Sequence, residues 1–376
     1  MKIAFIGARG VIGKYSGIET YYEEVGSRLA ALGHDVTVYC RSYFTPPVPE
    51  HRGIRIRRFP TFRSKHLETL LHSGLATLDA LVRDYDLVQF HALGSSPFAL
   101  LPRLVGKKTV VSVRGLDGQR AKWGRGARAY LTFCEWASVR CPNSTGVVSR
   151  ELCSYFRRAY DAETTYIPNG VTLKDRRGPE ALRPFGLGGG DYIVYVGRLT
   201  PEKDCHLLIE AFEALDTSLK LVFVGGASYA DDYVTGLKRH ASDRIRFLGF
   251  QTGEPLEALF SNAYLYVLPS RIEGLSISLL EAMGWGNCVL TSDIPENREL
   301  VDGCGFTFRV GDVADLRRML AELIASPDRV ALAGRASRTL IEREYDWDRI
   351  ALRTEAMFEQ VLGRNVERRA APLDSY

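Results

Sequence analysis

The chain has no Cys-x-x-Cys pair, although it holds seven cysteines, scattered at positions 40, 134, 141, 153, 205, 288 and 304. An odd, unclustered set excludes a zinc ribbon and predicts reduced structural thiols rather than a disulfide framework. It also lacks a run able to span a bilayer. The longest uncharged stretch, Leu87 to Pro102, is interrupted by His91, Gly94 and Pro97. A signal peptide is not expected either, because Met1-Lys-Ile-Ala-Phe-Ile-Gly7 reads directly as a strand and a glycine turn. The first glycines, Gly7, Gly10 and Gly13, are spaced G-x-x-G-x-x-G rather than G-x-G-x-x-G, and the next strand ends at Cys40-Arg41 with no acid for a ribose. That argues against a nicotinamide-dependent oxidoreductase. Asp84-Tyr-Asp86 lies ahead of a strand, at the end away from ligands, and Ala230-Asp-Asp232 reads as a helix start, so no metal centre is expected.

What is present is an ordinary globular composition, 45% hydrophobic and 25% charged, over 376 residues, which predicts two domains. The net charge of +4 hides an asymmetry: residues 1–170 hold 24 Lys and Arg against 14 Asp and Glu, and the remainder 25 against 31. Only the first domain is therefore expected to meet an anionic partner. Six cations and no acid fall between His51 and His66, while Arg120, Lys122, Arg125 and Arg128 surround Trp123. These clusters read either as contacts to an anionic membrane surface or as solvated basic faces. Neither forms a nucleic-acid module, and no nucleic-acid partner is expected.

Short β-branched runs alternate with helical ones. Strands are predicted at Lys2–Ile6, Asp35–Cys40, Leu87–Phe90, Lys108–Val113 and Thr164–Ile167, with helices near 17–32, 64–83, 95–104, 125–140 and 149–159. Ile54-Arg-Ile-Arg57 alternates with period two and is expected near a sheet edge. Pro168 to Asp191, rich in Gly and Pro, predicts a linker over 171–190. Alternation restarts with strands at Tyr192–Val196, Leu219–Val224, Arg244–Leu248, Tyr264–Leu268 and Cys288–Leu290. The fold class is α/β: two doubly wound parallel-sheet domains, 1–170 and 191–345, followed by a helix over 346–362 and a loose tail over 363–376.

Glu273-Gly-Leu-Ser-Ile-Ser-Leu-Leu-Glu281 follows the strand that ends at Leu268. Glu273 is expected in a loop at the carboxyl end of that strand, and Glu281 in the first turns of a helix over Ser278–Gly286. Backbone N–H groups from Gly274 through Leu275 and Ser276 to Ser278 would face outward at a helix start, which favours a diphosphate. A carboxylate on each side could accept hydroxyl hydrogen bonds, as a nucleotide sugar requires. Glu281 has a second reading, as partner of Ser278 in a capping box. Upstream, Val194-Tyr-Val-Gly-Arg198 is a strand and turn, with Lys203 expected to open the next helix. Two fixed cations there would meet the charge that develops on a departing diphosphate.

Together with Val196-Gly-Arg198-Leu-Thr-Pro-Glu-Lys203 and Ser16-Gly17-Ile-Glu-Thr20, this stretch resembles the two-glutamate signature of retaining glycosyltransferases of the GT-B fold, particularly glycosyltransferase family 4. The first half resembles that family's rhamnosyltransferase-like subgroup. The resemblance implies two domains facing a central cleft, with a last helix crossing back to the first. It implies a nucleoside diphosphate sugar as co-substrate, no cofactor, no metal, and a glycan or lipid-linked acceptor in surface polysaccharide assembly. Arg198 and Lys203 would grip the diphosphate, and Gly17 would bring backbone close to it. Glu273 would hold the sugar, although a nucleophilic role stays open, and Glu281 the ribose. His91, Arg114 and Asp117 are the acceptor-side candidates. Arg114 stands where the subgroup usually has His, and His91 reads either as a site residue or as a core histidine. The expected location is cytoplasmic, at the inner face of the membrane. A nonhydrolysing nucleotide-sugar epimerase and a silent nucleotide-sugar sensor are the alternatives.

Overall fold

The computed structural model describes residues 1–12, 17–61, 68–116, 118, 124–226 and 231–364. The chain divides into two units, Met1–Gly170 with Trp347–Tyr376, and Val171–Asp346.

The first unit contains β1 (Lys2–Ile6), α1 (Gly17–Ala31), β2 (Asp35–Arg41), β3 (Glu50–His51), β4 (Ile54–Phe59), α2 (Glu68–Leu81), β5 (Leu87–His91), a 3-10 segment (Leu93–Ala99) running into α3 (Leu100–Leu104), β6 (Lys108–Val113), α4 (Arg125–Arg140), β7 (Ser144–Val147), α5 (Arg150–Tyr160) and β8 (Thr165–Tyr166). Its sheet has the order β3-β4-β2-β1-β5-β6-β7-β8 and is parallel throughout except for β3 on β4. Strands β1, β5 and β6 are buried almost end to end, as a sheet covered on both faces requires. The alternating Ile54–Phe59 strand lies next to the edge, where only the two-residue β3 flanks it. Strand β7 was missed by the sequence reading because Ser144-Thr-Gly-Val147 is only four residues long and is interrupted by Gly146.

The second unit contains β9 (Tyr192–Val196), α6 (Cys205–Glu213), β10 (Lys220–Val224), α7 (Asp231–Lys238), β11 (Ile245–Phe247), α8 (Gly253–Ser261), β12 (Leu265–Leu268), α9 (Ile277–Gly284), β13 (Val289–Ser292), α10 (Pro295–Val301), β14 (Phe306–Phe308), α11 (Val313–Ile324) and α12 (Pro327–Glu344). The sheet order is β11-β10-β9-β12-β13-β14, all parallel. The stretch expected as a linker over 171–190 is instead packed into this unit. A 3-10 turn over Pro179–Phe185 buries Leu182, and Leu187 follows it into the same core. The Gly and Pro residues there make a tight turn, not a free connector.

The chain returns to the first unit with α13 (Trp347–Leu362), whose Trp347, Ile350, Met357 and Phe358 join the core of β1, β2 and α1. Gly170 and Trp347, at the two passages between units, are in close contact: a Cβ on Gly170 would lie 2.7 Å from the Trp347 ring.

In both sheets the strand order reverses beside the first strand, at β1/β5 and at β9/β12. Open α/β sheets bind ligands beyond the carboxyl ends of the strands at such switch points. Gly7, at the end of β1, has φ +120, and a Cβ there would lie 2.2 Å from the His91 carbonyl at the end of β5. Gly225, after β10, has φ +130 and would collide in the same way with the Gly197 carbonyl at 2.0 Å. These glycines let adjacent strand ends close together.

Candidate active site

The second unit's switch point is bracketed by the segments after β9 and β12, which carry Arg198, Lys203 and Glu273. Strand β9 ends at Val196, and Arg198 is exposed in the following loop, its carbonyl accepting from the Tyr195 hydroxyl at 2.8 Å. The chain then forms a 3-10 turn over Pro201–Lys203 and passes through Asp204 in the left-handed conformation (φ 49) before α6. Lys203 therefore closes a short turn and does not open the helix as the sequence suggested. Pro201 at the start of that turn and the left-handed Asp204 at its end separate it from α6.

Lys203 Nζ meets the Glu273 carboxylate in an ion pair, with side chains only 12% and 9% exposed. Seventy positions apart in sequence, they are brought together because β9 and β12 are neighbours. A second pair runs parallel to it: Arg271 donates to the buried Asp204 carboxylate, and the Arg271 N–H donates to the Glu202 carbonyl at 3.0 Å. Burial raises the Asp204 carboxyl above its ordinary pKa, opposed by Arg271. Arg271 thus ties the loop holding Glu273 to the turn holding Lys203. Sequence reasoning missed this pair, although both residues lie within two positions of residues it named.

Helix α9 begins one residue earlier than expected, and its cap is Ser276, whose hydroxyl accepts from the Leu279 N–H at 3.4 Å. The expected Ser278–Glu281 capping box gives way to this arrangement because the Ser278 hydroxyl is turned to the Tyr266 hydroxyl, 2.9 Å away. Gly274, Leu275 and Ser276 form the half-buried approach to α9, and Glu281 lies half-buried within it. Glu273 precedes the helix and Glu281 lies inside it, one on each side of its amino-terminal turn.

In the first unit, Gly17 opens α1, while Ser16 lies outside the described residues. His91, at the carboxyl end of β5, is fully buried and neither ring nitrogen has a partner. Phe5, Tyr21 and Tyr22 surround its ring with centroids 4.6–5.7 Å away. Burial, then the neighbouring Arg114 charge, holds its pKa well below the usual value. The core alternative describes these surroundings. Arg114, just past β6, is held at three points: its Nε donates to Ser112 Oγ, its Nη1 to Asn169 Oδ1, both at 2.9 Å, and its guanidinium lies 3.9 Å over the Tyr21 ring. Its Nη2 is buried without a partner. A fixed cation with one unused donor is suited to an oxyanion. Asp117 lies outside the described residues.

The basic 51–66 segment is not a free cationic face where it is described. Arg52 lies 3.4 Å from Glu23 and Glu24, Arg55 2.8 Å from Asp35 and Arg57 3.0 Å from Asp79. These carboxylates come from α1, β2 and α2, so three of the four described cations of the segment are neutralised by the fold, while the exposed Arg58 donates to the Ser42 carbonyl. Arg63, Lys65, Arg120, Lys122 and Trp123 lie outside the described residues. Among the described residues no cluster of three His, Cys, Asp or Glu could hold a metal ion, and no helix is long and apolar enough to cross a membrane.

Residues 15–175 match the model of Glycosyltransferase Family 4, and residues 183–340 that of Glycosyl transferases group 1. A glycogen synthase of Mycobacterium tuberculosis is 26% identical, over 91% of this chain and 90% of its own length. A GDP-mannose-dependent alpha-(1-6)-phosphatidylinositol monomannoside mannosyltransferase of the same organism is also 26% identical, over 89% of this chain and 92% of its own. Among solved structures, a sucrose-phosphate synthase from Thermosynechococcus elongatus superposes with a TM-score of 0.84, covering 96% of this chain and 99% of its own at 23% identity. The chain belongs to the GT-B glycosyltransferases, family 4-like in its first part and group 1 in its second.

Proposed function

We propose that the protein is a retaining, metal-independent hexosyltransferase that moves a sugar from a nucleoside diphosphate to a glycan or lipid-linked acceptor. It would act in surface polysaccharide assembly at the cytoplasmic face of a membrane, as a rhamnosyltransferase-like enzyme. The observation that carries this reading is the nearly buried Lys203–Glu273 pair at the switch point of the second sheet, beside the exposed Arg198. In this reading the donor diphosphate takes Lys203 from Glu273. Arg198 and Lys203 then meet the negative charge that grows as the anomeric C–O bond to the phosphate breaks. Glu273, released, accepts hydrogen bonds from the sugar hydroxyls. The electron pair of the breaking bond goes to the phosphate oxygen, which takes the acceptor hydroxyl's proton as the acceptor oxygen bonds to the anomeric carbon on the face the phosphate leaves. Gly17, Gly274, Leu275 and Ser276 line the donor with backbone, Glu281 holds the ribose, and Arg114 with Asp117 serves the acceptor. A lipid-linked acceptor is supported by the phosphatidylinositol monomannoside named for one relative.

The test is release of free nucleoside diphosphate from UDP-, GDP- and dTDP-sugars with and without a lipid-linked glycan acceptor. Release that depends on acceptor, giving a product of unchanged anomeric configuration, is expected. Inverted product would overturn retention, and release indifferent to acceptor would overturn transfer.

A further inference from the structure

We propose that the outer face of α2, α3 and α4 in the first unit is a docking surface that lies in the interface of an anionic lipid bilayer. This deepens the reading above, which sets the enzyme at a membrane, and it moves the contact away from Arg52, Arg55 and Arg57, which the fold pairs with carboxylates.

Helix α2 is amphipathic in an inverted sense. The face against the sheet carries His72, Ser73, Ala76, Thr77 and Ala80. The solvent face carries Leu71, Leu75, Leu78 and, just beyond the helix, Val82, all exposed, Val82 at 84%. Their spacing of four, three and four residues is a single stripe. Small inner side chains let the helix sit close to the sheet, and the large apolar ones are left outside. Among the described residues nothing in the packing of the unit accounts for them.

The stripe continues onto the neighbouring elements. The 93–99 segment packs between α2 and α4: a Cβ on Gly74 of α2 would lie 3.5 Å from the Phe98 ring, and the Tyr130 hydroxyl of α4 donates to the Gly94 carbonyl at 2.9 Å. Helix α3 exposes Leu100, Leu101 and, at 72%, Leu104. Helix α4 exposes Tyr130, Phe133 and Trp136, the last two stacked with centroids 5.8 Å apart. Most of the exposed large apolar side chains among the described residues fall on these three helices and their ends. Soluble surfaces carry such residues singly, and a contiguous patch marks a partner.

The charges around the patch select the partner. The three carboxylates on these helices are all withdrawn: Glu68 pairs with Arg41, Asp79 with Arg57 and Arg83, and Glu135 is buried under the hydroxyls of Tyr155 and Tyr160. The next acid along, Asp84, pairs with Lys2. Three cations at the rim have no carboxylate partner: Arg103 and Arg140 bond backbone carbonyls, and Arg128 is exposed. An apolar face with aromatic side chains and an unneutralised cationic rim matches an anionic lipid surface. Two copies meeting through this face would bring their cationic rims together. With no spanning helix among the described residues, the protein would lie on the bilayer.

The experiment is co-sedimentation of the full chain with vesicles of phosphatidylcholine alone or mixed with phosphatidylglycerol, at low and high salt. The variants are Leu78→Asp with Leu104→Asp, and separately Arg128→Gln. Circular dichroism and thermal melting of the whole chain check that each variant is folded, since the substitutions lie in the first unit. The parent is expected to prefer anionic vesicles and to keep part of its binding at high salt, because apolar insertion is not screened. The double variant should lose about tenfold or more in partitioning, and Arg128→Gln a smaller, salt-dependent share. A double variant that partitions like the parent overturns the proposal. So does binding that disappears entirely at high salt, or a parent that ignores vesicles and forms a dimer the double variant dissociates. Vesicle binding needs no acceptor or transfer, so its failure is read separately from failure of the transferase reading.

Discussion

Lys203 and Glu273 hold one another before any donor arrives, and this fixes what their replacement should do. Each is nearly buried, so removing either leaves the other charged, desolvated and alone. Lys203→Met should lower stability by about 1–3 kcal/mol as well as abolishing transfer. Adding Glu273→Gln to it should recover much of the stability and none of the activity. A double variant as unstable as the sum of the single ones would mean that the pair is not coupled in solution. On activity alone, Glu273→Gln should lower turnover by orders of magnitude, while Glu281→Gln should chiefly raise the donor KM through lost ribose contacts. The reverse ranking would exchange the sugar and ribose ends. Arg114 is different in kind, since its bonds to Ser112 and Asn169 hold it rigid with one donor unspent. Arg114→Ala should weaken acceptor use, read as acceptor KM, with donor binding unchanged, and Arg114→His should keep part of the activity. If acceptor titrations of Arg114→Ala match the parent, the unspent donor has no substrate partner.

The two parallel ion pairs make the Pro201–Asp204 turn and the Arg271–Glu273 loop one element. Arg271→Ala should therefore raise donor KM several-fold while leaving acceptor KM alone, although Arg271 touches no assigned substrate group. A matching loss in both constants would reduce Arg271 to a general stabiliser. A second element-scale consequence concerns α2, whose inner face buries His72. Burial, then the Arg41 charge, lowers its pKa from 6.5 to about 4. The folded state therefore binds fewer protons than the unfolded state between those values, so its stability is full above pH 6.5 and falls as pH drops toward 4. This single group could contribute up to about 3 kcal/mol of that acid loss. Urea melts of His72→Gln should show a shallower decline across the window, and an unchanged decline would place the acid sensitivity elsewhere. Elements of this kind were unevenly legible in the sequence. Lys2–Ile6, Lys108–Val113 and Tyr192–Val196 were readable to the residue, because each is a short segment rich in β-branched or aromatic residues. The loop at Glu273 was readable because a strand end and a turn are local, although the cap that follows is Ser276 and not the expected Ser278. The ion pairs were not, since Lys203–Glu273 and Asp204–Arg271 depend on which strands become neighbours. The neutralisation of Arg55 and Arg57 was hidden for the same reason: their acids, Asp35 and Asp79, come from other elements.

At the scale of the whole molecule, a division of labour follows from where the charges end up. The second unit carries all but one of the residues proposed to hold the donor, and its cations at the switch point are side chains on short loops beside a capped helix. Such a site can meet a diphosphate without a divalent ion, because Lys203, Arg198 and the α9 amino terminus together supply the positive potential a metal would otherwise provide. Transfer should then persist nearly unchanged in excess EDTA. Neutralising Arg198 and Lys203 together should cost far more than any chelator, and added magnesium should not restore the loss. Donor analogues should also protect the protein on heating without metal, since a ligand held only by the folded state at a hundred times its Kd adds about 2.7 kcal/mol. In calorimetry that gain belongs to the unit that binds, so the nucleoside diphosphate of the donor that supports transfer should raise the transition of Val171–Asp346 first if the two units melt apart. Activity lost in EDTA and regained with manganese would remove side-chain cations as the leaving-group partners. A donor that protects only when metal is present would do so independently of turnover.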